Sequence, residues 1–341
     1  MKGVDSAFGQ AGPPVALVGP TASGKSALAV RLAGQRPGTE IVSVDSMGVY
    51  RQMDIGTAKP SAEQRRAVPH HLLDLVDPDE EFTAGRFQRL ARAAISAIEA
   101  GGGRALLVGG TGLYHRAVID DLHIPGRWPR LAAAFEGQAD EPGGLRRLHR
   151  QLAELDPVAA GRIEPDNRRR IVRALEVTVG SGRPFSSSGP GLQAYPPTRF
   201  VLVGIPFVAE LHDPAIERRF RQLLDAGLLD EVRRLAARPG GLSRTARQAL
   251  GYRELLEHVE RGVALTDAVE RAVRRTRAFA RRQWAWFRRD PRITWLDPRA
   301  DLDAQLRRHF DATAGTSAAA AAGAAHPPPP SRTRPPVPAR D

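Results

Sequence analysis

Along this chain, short apolar runs that stop at glycines alternate with longer stretches whose apolar residues recur at helical spacing. Residues 15–19 ("VALVG") end at a glycine, and residues 26–32 continue with helical periodicity. This pattern predicts a strand, a loop and a helix in that order. "EIVSVDS" (40–46) reads as a second strand whose carboxyl end presents Asp45, and "RALLVGGTG" (104–112) as a third that runs into a glycine turn. Between them "RFQRLARAAISAIEAGG" (86–102) is an amphipathic helix stopped by glycines. "RFVLVGIPF" (199–207) and "RITWLD" (292–297) supply two further strands. Strands and helices alternating at this length imply a parallel sheet with right-handed crossovers.

From 119 to 195 the pattern holds helices and loops but no good strand, as in "GGLRRLHRQLAEL" and "NRRRIVRALEVTVGSG". The expectation is an α/β fold: a P-loop parallel sheet flanked by helices, built from 14–118 and 196–312, with a helical insertion at 119–195. Residues 213–238 and 246–290 are again helical and rich in arginine. Residues 1–13 read as a loose leader. From 313 to 341 alanine, glycine and proline dominate, a composition that cannot bury a core and predicts a disordered C-terminal tail.

Composition narrows the function classes. The chain has 341 residues, 42% of them hydrophobic, enough for a sizeable core. It has no cysteine, which excludes disulfides, thiolate-bound zinc and thiol catalysis and fits a reducing cytoplasm. No run approaches the roughly 20 apolar residues that span a bilayer, so a soluble protein with no membrane partner is expected. The net charge of +12 is almost all arginine, because Lys2, Lys25 and Lys59 are the only lysines. Between 244 and 292 thirteen Arg face six Asp plus Glu. Such an excess attracts phosphate backbones, although arginine-rich solvent faces also arise without any partner.

The chemistry gathers at the predicted strand ends. "GPTASGKS" places Gly19 four residues before Gly24, Lys25 and Ser26, the spacing of a phosphate loop, familiar from ATP-binding proteins. There, backbone N–H groups and a helix N-terminus face the phosphates, the lysine adds a point charge and the serine hydroxyl can meet Mg²⁺. A kinase or NTPase usually ends a later strand with a metal-ordering carboxylate. Here the third strand ends in glycines; Asp74 and Asp77 in "HHLLDLVD" are the alternative. The loop can therefore hold a diphosphate outside ATP. Asp45 would face the same crevice, where a carboxylate can take a proton from a nucleophile; an N-cap is the plainer reading. Thr111 forms a third wall in "GGTGLY". In "RRTRAFARRQWAWFRRDPRITW" (274–295) the arginines can contact phosphates, while Trp284, Trp286 and Phe287 either stack bases or pack on the core.

From residue 15 to 297 the blocks "GPTASGKS", "VDSMGVYRQMDIGTAKP", "LLVGGTGLY", "RRRIVRALEV", "GLLDEVRRL", "ALGYREL" and "RRQWAWFRRD" together resemble the bacterial tRNA dimethylallyltransferases (tRNA isopentenyltransferases), in the family's order. The resemblance implies transfer of a dimethylallyl group from dimethylallyl diphosphate to N6 of adenosine 37, next to the anticodon, in tRNAs reading codons that begin with U. Diphosphate leaves, assisted by Mg²⁺. By the same resemblance Gly19, Pro20, Thr21, Ala22, Ser23, Gly24, Lys25 and Ser26 hold the diphosphate, with Ser26 toward the metal. Asp45 is the general base, and Arg219 helps to hold the diphosphate. Thr111 contacts the RNA, as do Asp45, Ser46, Met47 and Gly48. Three further stretches do likewise: Arg169, Arg170, Ile171, Val172 and Arg173; Gln248, Gly251, Tyr252 and Arg253; Arg281, Arg282, Gln283 and Arg288. The insertion grips the anticodon stem-loop. A monomer acting on tRNA in the cytoplasm is implied.

The chain departs from the family at four positions. Gly48 replaces a frequent glutamine, and Ala132 stands where an RNA-contacting arginine is expected, with Arg130 nearby. Ala215 and Ala285 replace a frequent arginine and threonine. Two other readings stay open: prenylation of free AMP or ADP, and a nucleotide-dependent kinase or NTPase.

Overall fold

The structure is a computed structural model that describes residues 12–189 and 191–314. Most of the expected leader and tail therefore lies outside the described residues. The first segment runs β1 (Val15–Val18), α1 (Lys25–Gly34), β2 (Thr39–Val44), α2 (Ala62–Ala67), β3 (His70–His71), α3 (Ala84–Ala100), β4 (Arg104–Gly109) and α4 (Gly112–Ile119). Four helices follow without a strand: α5 (Pro129–Asp140), α6 (Gly144–Leu155), α7 (Pro157–Ala160) and α8 (Arg168–Ser181). The chain then returns through β5 (Val201–Gly204), α9 (Ala209–Asp225), α10 (Leu228–Ala236), α11 (Tyr252–Arg261), α12 (Leu265–Phe287), β6 (Thr294–Trp295) and α13 (Leu302–Ala312).

Six parallel strands form one sheet in the order β3-β2-β4-β1-β5-β6. The strands read as continuous apolar runs because both faces are covered. Val15, Leu17, Leu106, Val108 and Val203 turn toward α1 and α13, where Leu28, Leu32, Leu306 and Phe310 complete one core. Ala16, Val18, Ala105, Leu107 and Leu202 turn to the opposite face, into the larger core shared with α3, α4 and α9 to α12. This is the period-two alternation of a strand applied to two apolar layers. The insertion has a core of its own around Phe135, Leu148, Leu152, Ile171 and Leu175. No helix among the described residues is long and apolar enough to cross a membrane.

The sheet has one strand that the apolar pattern does not reveal. His70 and His71 pair with Ile41 and Val42 as the edge strand β3. The His71 ring meets Glu40 at 2.6 Å and His70 Nδ1 meets the Val68 carbonyl at 2.7 Å. A two-residue polar edge strand carries no hydrophobic signal.

The segment after β2 is held from behind by buried charge. Glu231 on α10, 2% exposed, accepts hydrogen bonds from the backbone N–H groups of Asp54, Ile55 and Gly56 at 2.9–3.2 Å. It also accepts one from the Tyr252 hydroxyl at 2.5 Å. The Tyr252 ring lies so close to Gly56 that a Cβ there would fall 2.4 Å from it, so the site requires glycine. Lys59 is equally buried, and its ammonium donates to the Tyr50 carbonyl, Asp54 and Asp74 at 2.5–2.7 Å. "DIGTAKP" is thus a structural block that fixes the chain following Asp45. Glu231→Ala strands four donors without acceptors and is expected to lower the unfolding free energy by about 3 kcal/mol or more. Glu231→Gln should lose less; equal losses in urea titrations of the two variants would contradict this role.

Candidate active site

Three neighbouring strands end level. Val44 of β2, Gly109 of β4 and Val18 of β1 are in register across the sheet, so the residues that follow them open onto one crevice. Close packing of these ends demands glycine, because a Cβ on Gly109 would lie 2.0 Å from the Val44 carbonyl oxygen. Beyond β2 the Asp45 Oδ1 accepts from Met47 N–H at 2.7 Å and from Gly48 N–H at 3.2 Å. That turn fixes the carboxylate and leaves Oδ2 with no hydrogen bond among the described residues. Ser46 N–H donates to Thr111 Oγ1 at 3.2 Å, which ties the β2 end to the β4 end. The N-cap reading of Asp45 fails because no helix begins there: the carboxylate closes its own turn with Oδ1.

The loop after β1 wraps toward the same space. Ala22 and Gly24 adopt the left-handed conformation, with φ of 61° and 80°, and Gly24 leads directly into α1. Lys25 folds back so that its ammonium donates to the Pro20 carbonyl at 2.9 Å. Burial, with the nearby Arg219 guanidinium second, pushes the Lys25 ammonium from 10.5 down to about 8, and the Asp45 carboxylate opposes the shift. Arg219 on α9 is lowered by its own burial, again against the pull of Asp45. Lys25, Arg219 and Asp45 therefore feel one another's charge in one cleft. Two buried histidines flank this cluster: burial and then Lys25 lower His212, and burial pushes His115 down to about 3. Both rings are neutral at pH 7.

Two cations against one carboxylate make the cleft a cradle for a polyanion. The metal question rests on donor chemistry. Among the described residues no three His, Cys, Asp or Glu side chains cluster, so there is no all-protein cage. Ser26 is exposed at the first turn of α1, which suits a Mg²⁺ that keeps its waters and is held largely by ligand phosphates. Asp74, the alternative carboxylate, is committed elsewhere, to Lys59 and to Arg65 at 2.7 Å. Asp77 pairs with Arg51.

The arginine-rich stretches divide by helix face. On α8, Arg169 and Arg170 are exposed, while Ile171 and Val172 are buried in the core of the insertion. Arg173 is engaged with Glu176 at 2.9 Å and with the Pro125 carbonyl. Tyr252 is buried against Glu231 and Gly251 is buried beside Phe220, whereas Gln248 and Arg253 are exposed. On α12, Arg281 and Arg282 are exposed and Gln283 is buried, and Arg288 just past its end is exposed. The side chains of Ile171, Val172, Tyr252 and Gln283 are turned inward by the helical repeat, unlike the exposed arginines beside them. Trp286 is half-buried and packs on the core, where a Cβ on Gly112 would lie 2.2 Å from its Nε1. Ala132 is half-buried on α5, with Arg130 exposed one half-turn before it. At Gly48 a Cβ would meet Leu73 at 3.4 Å and Asp45 at 3.6 Å, ordinary contacts that leave room for a larger residue.

Known proteins resemble this chain over most of its length. The family model described as IPP transferase matches residues 48–290, well over half of the chain. A tRNA dimethylallyltransferase of Kineococcus radiotolerans is 48% identical over 290 residues, covering 83% of this chain and 90% of its own. The full-length tRNA isopentenylpyrophosphate transferase of Bacillus halodurans is similar in structure, with a TM-score of 0.64 at 37% identity over 88% of this chain and 94% of its own. A eukaryotic dimethylallyltransferase, solved in crystallographic snapshots of its action on tRNA, aligns with a TM-score of 0.70 at 25% identity. That alignment covers 86% of this chain and 77% of the other.

The shifted lysine gives the cleft a pH signature. Its ammonium is present below about 8 and is lost above it, so affinity for inorganic pyrophosphate should be full below that value and fall as pH rises through it. The ratio of wild-type to Lys25→Met affinity cancels the titration of the ligand itself. That ratio should shrink steadily above about pH 8 in calorimetric titrations; a constant ratio from about pH 6.5 to about 9.5 would show that Lys25 is not the titrating group.

Proposed function

The chain belongs to the IPP transferase family, and we propose that it transfers a dimethylallyl group from dimethylallyl diphosphate to N6 of adenosine 37 of tRNA. The carrying observation is the shared cleft, in which Lys25 and Arg219 sit beside an Asp45 carboxylate that keeps one oxygen without a hydrogen bond among the described residues. The exocyclic amine of adenine is a weak nucleophile because its lone pair is delocalised into the ring. Its attack forms the bond from N6 to the first carbon of the prenyl group, and the bond from that carbon to the diphosphate oxygen breaks. The amine proton passes to Asp45 Oδ2 as the bond forms. The electron pair leaves with the diphosphate, whose growing charge is met by Lys25, Arg219 and the backbone N–H groups of the loop. Mg²⁺, when bound with Ser26 and the phosphate oxygens, supplies further charge neutralisation to the leaving group.

To reach N6, the base has to leave the anticodon-loop stack and enter the cleft. The exposed Arg169, Arg170, Arg282 and Arg288 suit phosphate contacts from two arms, α8 of the insertion and the C-terminal end of α12. Thr111, hydrogen-bonded to Ser46, suits a contact to the inserted nucleotide. A mononucleotide acceptor needs neither arm, which favours RNA over free AMP or ADP. A kinase reading is disfavoured by the β4 end, where Gly109 and Gly110 stand in place of a metal-ordering carboxylate. A tRNA substrate suits a cytoplasmic protein, and one chain that supplies the cleft and both arms suits a monomer.

Nucleoside mass spectrometry of tRNA after incubation with dimethylallyl diphosphate and Mg²⁺ tests the reaction: N6-prenylated adenosine is expected, and its absence would reject the proposal. In the same assay Asp45→Asn should lower single-turnover transfer by roughly 10²–10⁴-fold while RNA affinity holds; near-normal turnover would remove Asp45 from the base role. Arg282→Ala should weaken RNA binding and reduce the log–log salt slope by about 0.9. An unchanged slope would mean that Arg282 meets no phosphate.

A further inference from the structure

Gln283 occupies a place on α12 where helical spacing calls for an apolar side chain. Ala280, Gln283 and Phe287 form one buried stripe, while Arg281, Arg282 and Arg288 face outward. A buried amide is costly unless both ends find partners. Here they do: Oε1 accepts from the Thr21 N–H at 2.8 Å, and Nε2 donates to the Gly110 carbonyl at 2.9 Å. The partners fix the orientation of the amide, because Thr21 N–H can only donate and the Gly110 carbonyl can only accept.

Those partners belong to the two loops that form the cleft. The peptide unit joining Pro20 to Thr21 is gripped at both ends, its N–H by Gln283 and its carbonyl by the Lys25 ammonium at 2.9 Å. When a phosphate group draws the ammonium away, the Gln283 contact alone keeps that peptide plane from turning. On the other side, Gly110 admits the amide only because it lacks a side chain: a Cβ there would lie 2.2 Å from Nε2 and 3.2 Å from the Gly19 carbonyl oxygen. Gly110 immediately precedes Thr111, so one side chain from α12 sets the spacing between the diphosphate loop and the turn that closes on Asp45 and Ser46.

Resting on the transferase reading, we propose that Gln283 is a positioning residue that orients the diphosphate loop against the Thr111 turn, and that it does not contact RNA as its exposed neighbours on α12 do. The helix that presents Arg282 and Arg288 outward thereby reaches inward to shape the loop that holds the leaving group. Loss of the amide frees the Pro20–Thr21 peptide, misdirects the N–H groups that follow it and lets the two loops drift apart.

The test uses the full chain and two separate probes, inorganic pyrophosphate and an unmodified tRNA anticodon stem-loop, each titrated alone. Gln283→Ala should weaken pyrophosphate by about tenfold, equivalent to about 1.4 kcal/mol, and leave RNA affinity within about twofold. Gln283→Leu keeps the volume while removing both hydrogen bonds; it should give the same pattern, and it decides the matter if the alanine variant does not fold. Gly110→Ala drives a methyl into the amide, so its effect on pyrophosphate should be large in the wild type and clearly smaller in the Gln283→Ala background. A Gln283 variant that binds pyrophosphate normally but loses RNA would make Gln283 an RNA contact and overturn the proposal. Unchanged binding of both probes with only a lower melting temperature would reduce it to packing, and additive losses in the double variant would equally overturn it. Should the wild type form no prenylated adenosine while pyrophosphate still depends on Gln283, the reaction reading fails and the positioning role stands.

Discussion

The level ending of β2, β4 and β1 is the constraint on which the remaining structure depends. Parallel pairing sets Val44, Gly109 and Val18 in register, and the glycine at the middle strand lets the neighbouring backbone approach. Had the strands been staggered, Asp45, Thr111 and the loop carrying Lys25 would open at different heights and share no ligand. The same geometry explains why the cleft needs outside support. Three adjacent loops with few apolar side chains hold one another by little more than the Ser46–Thr111 hydrogen bond, so further fixing groups come from helices far along the chain. Glu231 and Tyr252 hold the segment after Asp45, and Gln283 links the loops after β1 and β4.

Electrostatics then assigns the cleft its cargo. Lys25 and Arg219 are both partly withdrawn from water, and each lowers its affinity for a proton in consequence. Cations held in this strained state gain most from a multivalent anion, and more when the anion's charge grows as a bond to carbon breaks. In the proposed reaction Asp45 serves the opposite end. Its backbone hydrogen bonds orient it without satisfying its second oxygen, which leaves a proton acceptor aimed into a positively charged site. Folding places the Lys25 charge there at a cost to stability below about pH 8, a cost relieved between that value and 10.5 as the folded state releases its proton first.

Much of this was legible in the sequence because strand ends announce themselves. The apolar runs before Gly19, Asp45 and Thr111 marked three neighbouring strand ends; β1, β4, β5 and β6 fall within the expected stretches, and β2 begins one residue before its own. β3 was not legible, since two histidines at an edge offer no apolar run. α2 escaped too, although Ser61 and Gln64 form a capping box that the sequence displays. The stretches proposed to face RNA were legible only as stretches. A helical block contains both faces, so Arg169 and Arg282 came grouped with Ile171, Val172 and Gln283, which point inward. Tyr252 likewise sits in a block whose purpose is packing against Gly56. Contacts between residues as distant as Thr21 and Gln283 leave no local trace in a single sequence.

The central claim is that the loop holds a leaving group expelled by RNA, not a nucleotide that the protein cleaves. Simultaneous assay of inorganic diphosphate released from dimethylallyl diphosphate and of orthophosphate released from ATP, each with and without unmodified tRNA, tests it most directly. The account predicts diphosphate release only when RNA is present, one for each prenylated adenosine formed, and no RNA-dependent ATP turnover. Sustained hydrolysis of ATP without any prenylated nucleoside would contradict it.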